Sequence, residues 1–239
     1  MPQEIKIIRL SLPYKLGTVN CYLIKNDSGF FLIDTGFSNN RAVLEKELGE
    51  AGCRPGNLKL IVITHGDFDH TGNAAYLRDK FATKTAMHFD DFGMVERGDM
   101  FWNRRRGNRI IRMLAPILFG FGKSDRFVPD ITLEDGYGLS EYGFGAKVLA
   151  LPGHSKGSIG ILMARGDPSP GSGQALFCGD LFGNVNKPEL NSIMDDLAAA
   201  NASVEKLRSL EIDTVYPGHG SPFLMELFMS EYRQPDIVS

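Results

Sequence analysis

The chain has 239 residues, 43% hydrophobic and 23% charged, with a net charge of -3 at pH 7, the profile of an ordinary globular protein. Its longest apolar stretches, such as 113–122, are broken by Pro116 and Gly120 and fall well short of the roughly 20 residues a bilayer crossing needs; with no secretory signal in the opening MPQEIKIIRL, a cytoplasmic protein with no membrane contact is expected. Cys21, Cys53 and Cys178 form no CxxC pair, which argues against disulfides and thiolate metal sites, and a pI near 6.0 makes nucleic acid an unfavoured partner.

In chain order, the opening predicts three strands at 5–10, 19–25 and 30–33, with a Gly-containing turn at 26–29. Asp34-Thr35-Gly36 follows, then a helix over 41–51 from the period of Val43, Leu44, Leu48 and Ala51. The run 58–64 (LKLIVIT) reads as a strand buried on both faces, delivering the chain to His65. A helix is predicted at 71–81 and a short strand at 84–87. Between about 89 and 122, Met, Phe and Trp102 mix with Arg104, Arg105, Arg106, Arg109 and Arg112, and the periodicity predicts two or three short helices, a small helical cap inserted in the domain. Strands return at 131–133, 137–139, 146–151 and 158–164. A Gly/Pro/Ser-rich loop at 166–173 joins the last of these to an antiparallel strand at 174–178. A helix is predicted over 191–210, opened by an Asn or Ser cap, and a final strand at 213–216 precedes His219. One α/β domain spanning 1–239 is the expected organisation.

His65-Gly66-Asp67-Phe68-Asp69-His70 places four potential ligands in six residues after a buried strand, and imidazole nitrogen with carboxylate oxygen suits borderline divalent ions. Leu151-Pro152-Gly153-His154 and Tyr216-Pro217-Gly218-His219 each end a predicted strand with Pro-Gly-His. Asp180, in Phe177-Cys178-Gly179-Asp180, ends another. His88 has no partner phrase and reads as structural.

These phrases together resemble the metallo-β-lactamase superfamily of hydrolases over nearly the whole chain, from Asp34-Thr35-Gly36 through HxxxDH, PGHS and GD to the closing PGHG. The resemblance implies a four-layer αβ/βα sandwich with two divalent metals at its edge, zinc first, with iron or manganese as alternatives. It implies His65, Asp67 and His154 on one metal, Asp69, His70 and His219 on the other, Asp180 bridging, and Asp34 holding the HxxxDH loop. It also implies hydrolysis by a metal-bound hydroxide, with Asp69 orienting the nucleophile and managing its proton.

One position departs from the pattern. The common family motif is HxHxDH, whereas Asp67 here replaces the second histidine. Three carboxylates, two divalent ions and a bridging hydroxide sum to zero rather than +1, which makes bound water less acidic and favours harder metals. The metal position containing Asp67 is therefore expected to be the weaker or more metal-promiscuous one.

Two rival readings stand beside this one. Gly153-His154-Ser155-Lys156-Gly157 matches GxSxG, and Ser155, Asp180 and His219 follow the chain order of an α/β-hydrolase triad, but 157–162 reads as turn and strand where a nucleophile elbow needs a helix. A non-hydrolytic di-metal (iron) or regulatory protein on the same fold is the other. The chain ends twenty residues after His219, without the helical domain that glyoxalase II relatives use for glutathione, so a small-molecule ester, thioester, lactone or phosphoester is expected as substrate. Trp102, Arg105 and Arg106 are candidate substrate contacts.

Overall fold

Strands that are apolar on both faces must be covered twice. In the computed structural model, which describes residues 3–104, 109–164 and 173–232, two sheets pack face to face with helices outside them. The first sheet takes its strands in chain order: β1 (Glu4–Ser11), β2 (Thr18–Asn26), β3 (Gly29–Ile33), β4 (Leu58–Val62), β5 (Thr85–Met87) and β6 (Ile131–Thr132). β1 to β3 form an antiparallel meander; β3 to β6 pair in parallel, and α1 (Arg41–Glu50), α2 (Phe68–Thr71), α3 (Ala74–Phe81), α4 (Phe92–Arg97) and α5 (Arg109–Leu118) lie in the connections. The second sheet comprises β7 (Ala146–Ala150), β8 (Ile159–Met163), β9 (Gln174–Asn184), β10 (Glu189–Leu190), β11 (Ile212–Gly220) and β12 (Phe223–Leu224), in the order β12-β11-β9-β8-β7 with β10 beside β9. Helices α6 (Leu197–Arg208) and α7 (Met225–Glu231) accompany it.

The alternation of side chains sorts the core into layers. In β2, Val19, Cys21 and Leu23 join Leu44, Leu48 and Leu77 of the outer helices. Tyr22 and Ile24 point the other way, into the layer between the sheets, with Ile161 and Phe177. The far face of the second sheet packs Leu176 and Leu181 against Ala200, Val204 and Leu207 of α6. The layers run helix, sheet, sheet, helix, which is the expected αβ/βα sandwich. Phe177, fully buried at its centre, would cost about 3–5 kcal/mol if cut to Ala.

Three predicted elements are corrected. The 71–81 helix is α3, which starts only at Ala74; Thr71 instead closes the short helix α2, and between them the Asn73 amide donates to Thr35 O and Phe37 O (2.7 and 2.8 Å). The 137–139 strand is a single bridge, Gly138 to Lys147. The 191–210 helix starts only at Leu197, capped by Asp196 rather than an Asn or Ser, since residues 191–196 make the contacts to the site described below. The loop predicted at 166–173 falls almost wholly outside the described residues, but the strands it joins pair antiparallel. Within 89–122, Met94 and Val95 of α4 are fully buried core, whereas Met113 and Ile117 of α5 are exposed. The three cysteines are buried and free, and His88 accepts from Asp90 N at 3.2 Å.

Candidate metal centre

The ends of β3, β4 and β7 meet the later halves of β9 and β11 at one edge of the two sheets; Asp180 and His219, expected to end their strands, lie inside β9 and β11, which run on to Asn184 and Gly220. β4 runs into residues 63–67 and the short helix α2, so His65, Asp67, Asp69 and His70 leave the backbone in quick succession. Asp34, just past β3, sits in the left-handed region (φ +59°), which an Asp tolerates better than most residues. That turn aims its carboxylate inward: Oδ1 accepts from Thr64 N (2.8 Å), and Oδ2 accepts from Thr64 Oγ1 (2.8 Å) and His70 Nδ1 (2.8 Å). Asp180 and His219 lie on the paired strands β9 and β11. Gly218, before His219, must lack a side chain, because a Cβ there would come within 2.1 Å of Asp180 Oδ1 and 2.8 Å of His70 Cε1.

All four imidazoles are held by the same device, an acceptor on Nδ1. His70 Nδ1 meets Asp34, His154 Nδ1 meets Ile193 O (2.6 Å) and His219 Nδ1 meets Thr18 O (2.8 Å). His65 Nδ1 lies 3.1 Å from Thr64 Oγ1, whose own hydrogen goes to Asp34, so this hydroxyl accepts. A proton fixed on each Nδ1 leaves each Nε2 as a lone pair, and an outer partner of this kind is what orients a metal-ligating histidine. The Nε2 atoms converge on carboxylates. His154 Nε2 is 2.9 Å from Asp67 Oδ2, His70 Nε2 is 3.4 Å from Asp180 Oδ1, and His219 Nε2 is 3.3 Å from Asp180 Oδ2 and 3.4 Å from Asp69 Oδ2. Buried Nε2 atoms of His65 and His70 and Oδ1 of Asp180 have no hydrogen-bond partner. Lone pairs facing lone pairs call for positive charge between them, either protons on Nε2 or a metal ion.

Two clusters have donor atoms close enough to share an ion: His65, His154 and Asp180, and Asp69, His70 and His219. The protonation equilibria show the same demand for positive charge. Burial opposes the charged forms of His70, His154 and His219, yet the surrounding carboxylates outweigh it and raise all three, His219 to about 11. Burial would raise Asp67 and Asp180, but Arg104 and His154 beside the former, and His219 and His70 beside the latter, hold both well below the usual carboxylate range. Without those counter-charges a buried carboxylate would take up a proton instead.

Of the residues expected from the sequence, His65, Asp69, His70, His154, Asp180 and His219 come together in those clusters and Asp34 braces two of the histidines. Asp67 joins differently. Its Oδ2 faces His154 and, at 3.7 Å, His65 Nε2, while its Oδ1 faces Arg104 Nη2 at 2.9 Å. Trp102 does not line the cleft; its ring lies beneath the Arg97 guanidinium, 3.9 Å from the centroid. Arg105 and Arg106 lie outside the described residues. The turn and strand read against a serine nucleophile are present: Ser155 is buried, its hydroxyl donates to Asp91 Oδ2 (2.6 Å) beside Ser158 Oγ (2.8 Å), and strand β8 follows it.

Sequence reasoning missed Asp91, which joins the two ligand-bearing loops. Its carboxylate accepts from Gly66 N (3.0 Å), Gly157 N (2.9 Å) and Ser155 Oγ. It also missed Asn191, whose amide donates to Asp180 Oδ2 (3.1 Å), and Ile193. Neither Asp91 nor Asn191 sits in a phrase with ligand spacing, so only the fold could find them.

A cleft of about 730 Å³ opens over this edge. Asp67, Asp69, His154, Asp180 and His219 lie at it, with Leu12, Leu16, Phe37, Met100, Phe119 and Ile193 as apolar walls and Arg9, Asn184 and Asn191 as polar ones. Among the described residues no helix is long and apolar enough to cross a membrane.

The metallo-beta-lactamase superfamily matches residues 14–219, and the chain belongs to it. It is similar to the probable metallo-hydrolase YqjP of Bacillus subtilis, 22% identical over 97% of this chain and 76% of that one. It is also similar to the hydroxyacylglutathione hydrolase GloC of Haemophilus influenzae, 30% identical over 63% of this chain and 64% of that one. Among solved structures, the BLEG-1 B3 metallo-beta-lactamase aligns with a TM-score of 0.71 at 21% identity over 98% of this chain and all of that one. TTHA1623, solved in a di-iron-bound form, aligns with a TM-score of 0.67 at 26% identity over 97% of this chain and all of that one. The chain is a metallo-hydrolase-fold enzyme.

Proposed function

We propose that the protein is a dinuclear metal-dependent hydrolase of a small ester, thioester, lactone or phosphoester with an apolar part. The observation that carries this is the set of four imidazoles, each fixed through Nδ1, with every Nε2 directed at shared carboxylates. His65, Asp67 and His154 would hold one ion and Asp69, His70 and His219 the other, with Asp180 between them. Divalent ions in such a site supply Lewis acidity, making water a stronger acid and polarising a substrate oxygen.

The chain's own residues would do the rest. Asp69, 17% exposed on its side chain and at the cleft, would take and return a proton there. Asn191 keeps Asp180 oriented. The apolar walls would bind an acyl or alkyl group and exclude water around it, and the name of GloC is consistent with an acyl substrate. The mixed nitrogen and oxygen donors suit zinc, and the carboxylate at 67 widens the choice toward manganese or iron. A second reading, a di-iron protein without hydrolysis, draws on that donor set and on the di-iron form of TTHA1623.

The deciding experiment reconstitutes metal-free protein separately with zinc, manganese and iron and assays each form on an ester, thioester, lactone and phosphoester panel. Turnover with one or more metals, abolished by chelation, is expected. Full metal occupancy with no turnover on any class would favour the second reading.

A further inference from the structure

Arg104 leaves the backbone at the end of a pinned turn. Asn103 holds a left-handed φ of +62°, and its side-chain oxygen accepts from Lys156 Nζ at 3.1 Å. The Trp102 ring presses on Gly93, where even a Cβ would come within 2.2 Å of it. From this turn the Arg104 side chain, only 9% exposed, ends 2.9 Å from Asp67 Oδ1. The approach is not aligned as a hydrogen bond, and Arg104 Nε finds no acceptor either, so charge holds the pair. Arg104 does not line the cleft, which separates it from an arginine placed to grip substrate.

One carboxylate therefore divides its two oxygens, Oδ2 toward two imidazoles and Oδ1 toward a guanidinium. We propose that Arg104 is the built-in counter-charge of Asp67, a positioning residue that sets the metal affinity of the His65/His154 half of the centre. The inference rests on the metal-centre reading above. An aspartate where an imidazole would serve adds one negative charge to a buried site, and a guanidinium, which stays charged at any working pH, removes it. Asp67 and Arg104 together sum to the charge of one neutral imidazole while keeping an oxygen donor. The pair thus offsets the loss of positive charge that Asp67 alone would cause, and without Arg104 the uncompensated carboxylate would bind a divalent ion more tightly.

Metal-free wild type, Arg104→Met and Arg104→Lys are titrated with Zn²⁺ and Mn²⁺ by calorimetry against a competing chelator, with thermal melts of each apo protein. Arg104→Met should tighten one of the two sites by about tenfold or more and leave the other alone, and Arg104→Lys should restore wild-type affinity. Asp67→His should weaken that same site, because the guanidinium then stands unpaired beside the ion, and adding Arg104→Met to it should recover the loss. Arg104→Met binding unchanged or weaker at both sites, in a variant that melts like wild type, overturns the inference alone. Should Arg104→Met fail to fold, equal affinity of Asp67→His with and without Arg104→Met overturns it. Wild type that takes up neither metal overturns both the inference and the function it rests on.

Discussion

Replacing Asp34 by Asn tests the bracing of the centre without changing its shape. The side chains are isosteric and both tolerate the left-handed backbone at φ +59°, so no backbone strain enters. What changes is the donor count. Three hydrogens now reach this carboxylate, from Thr64 N, Thr64 Oγ1 and His70 Nδ1. An amide has one oxygen and an NH₂ group. If its oxygen keeps Thr64 N, its NH₂ faces His70, which must move its proton to Nε2; in the reverse orientation the NH₂ faces Thr64 N. Either way a buried donor loses its acceptor. Losing hydrogen bonds to a charged group costs about 1.5–3 kcal/mol each, and rotation of the Thr64 hydroxyl recovers part of this, so the metal-free protein should lose about 2–4 kcal/mol. For a chain of this length that lowers Tm by about 4–16 °C. With the His70 tautomer no longer fixed, metal affinity should fall by roughly 10–100-fold. Thermal melts in chelator and calorimetric metal titration measure the two effects separately. A variant that melts within about 2 °C of wild type and binds metal equally well would refute the reasoning, because Asp34 would then be holding nothing.

Other outcomes follow from the same geometry. Gly218→Ala, whose added methyl would meet Asp180 and His70, should abolish tight binding at the Asp69/His70/His219 cluster while the far-ultraviolet dichroism stays that of the wild type; retained stoichiometry would contradict this. The metal-free protein should be most stable from about pH 4 to 6.5. The ordinary histidine value is 6.5 and His219 folds with about 11, so its contribution is complete below 6.5 and is lost as pH rises through 11. Asp67 and Asp180, lowered from 3.8, contribute above that value and lose stability as pH falls below it; a Tm flat from pH 6 to 10 in chelator would exclude the coupling. Hydrolysis should cease with chelation and persist after a serine-reactive phosphonyl fluoride, as Ser155 is committed to Asp91; the opposite pattern would restore a serine nucleophile. Phe119→Ala should raise KM for substrates with longer apolar groups and leave kcat within about twofold, and an equal loss in both would place Phe119 nearer the chemistry.

Much of this was legible because ligands grouped in short phrases leave local marks. His65 to His70 follow an apolar, β-branched run that reads as a buried strand, and the two Pro-Gly-His phrases carry the glycine that a crowded backbone needs. The run 58–64 showed one strand buried on both faces, whereas the four layers followed only from the resemblance to the family. What stayed hidden acts across long separations in sequence. Residues 191–196 have helical periodicity, but Asn191 bonds Asp180, Ile193 O holds His154, and the amides of Asp195 and Asp196 both donate to Gly153 O at 2.9 Å. Those tertiary bonds outweigh local helix preference, so the helix waits for Asp196. Arg104 was visible as one of five arginines, and nothing in their spacing showed that this one turns inward.

The contact between His154 and residue 193 has an evolutionary consequence. His154 is oriented by the carbonyl oxygen of Ile193, whereas Ile193 as a residue is 68% exposed and lines the cleft. A main-chain oxygen is present whatever residue occupies the position, and the same holds for Thr18 O, which orients His219. Mutation can therefore redraw the cleft wall at 193 while the imidazole behind it stays in place. In this part of the molecule, new selectivity can be explored without first surrendering the metal.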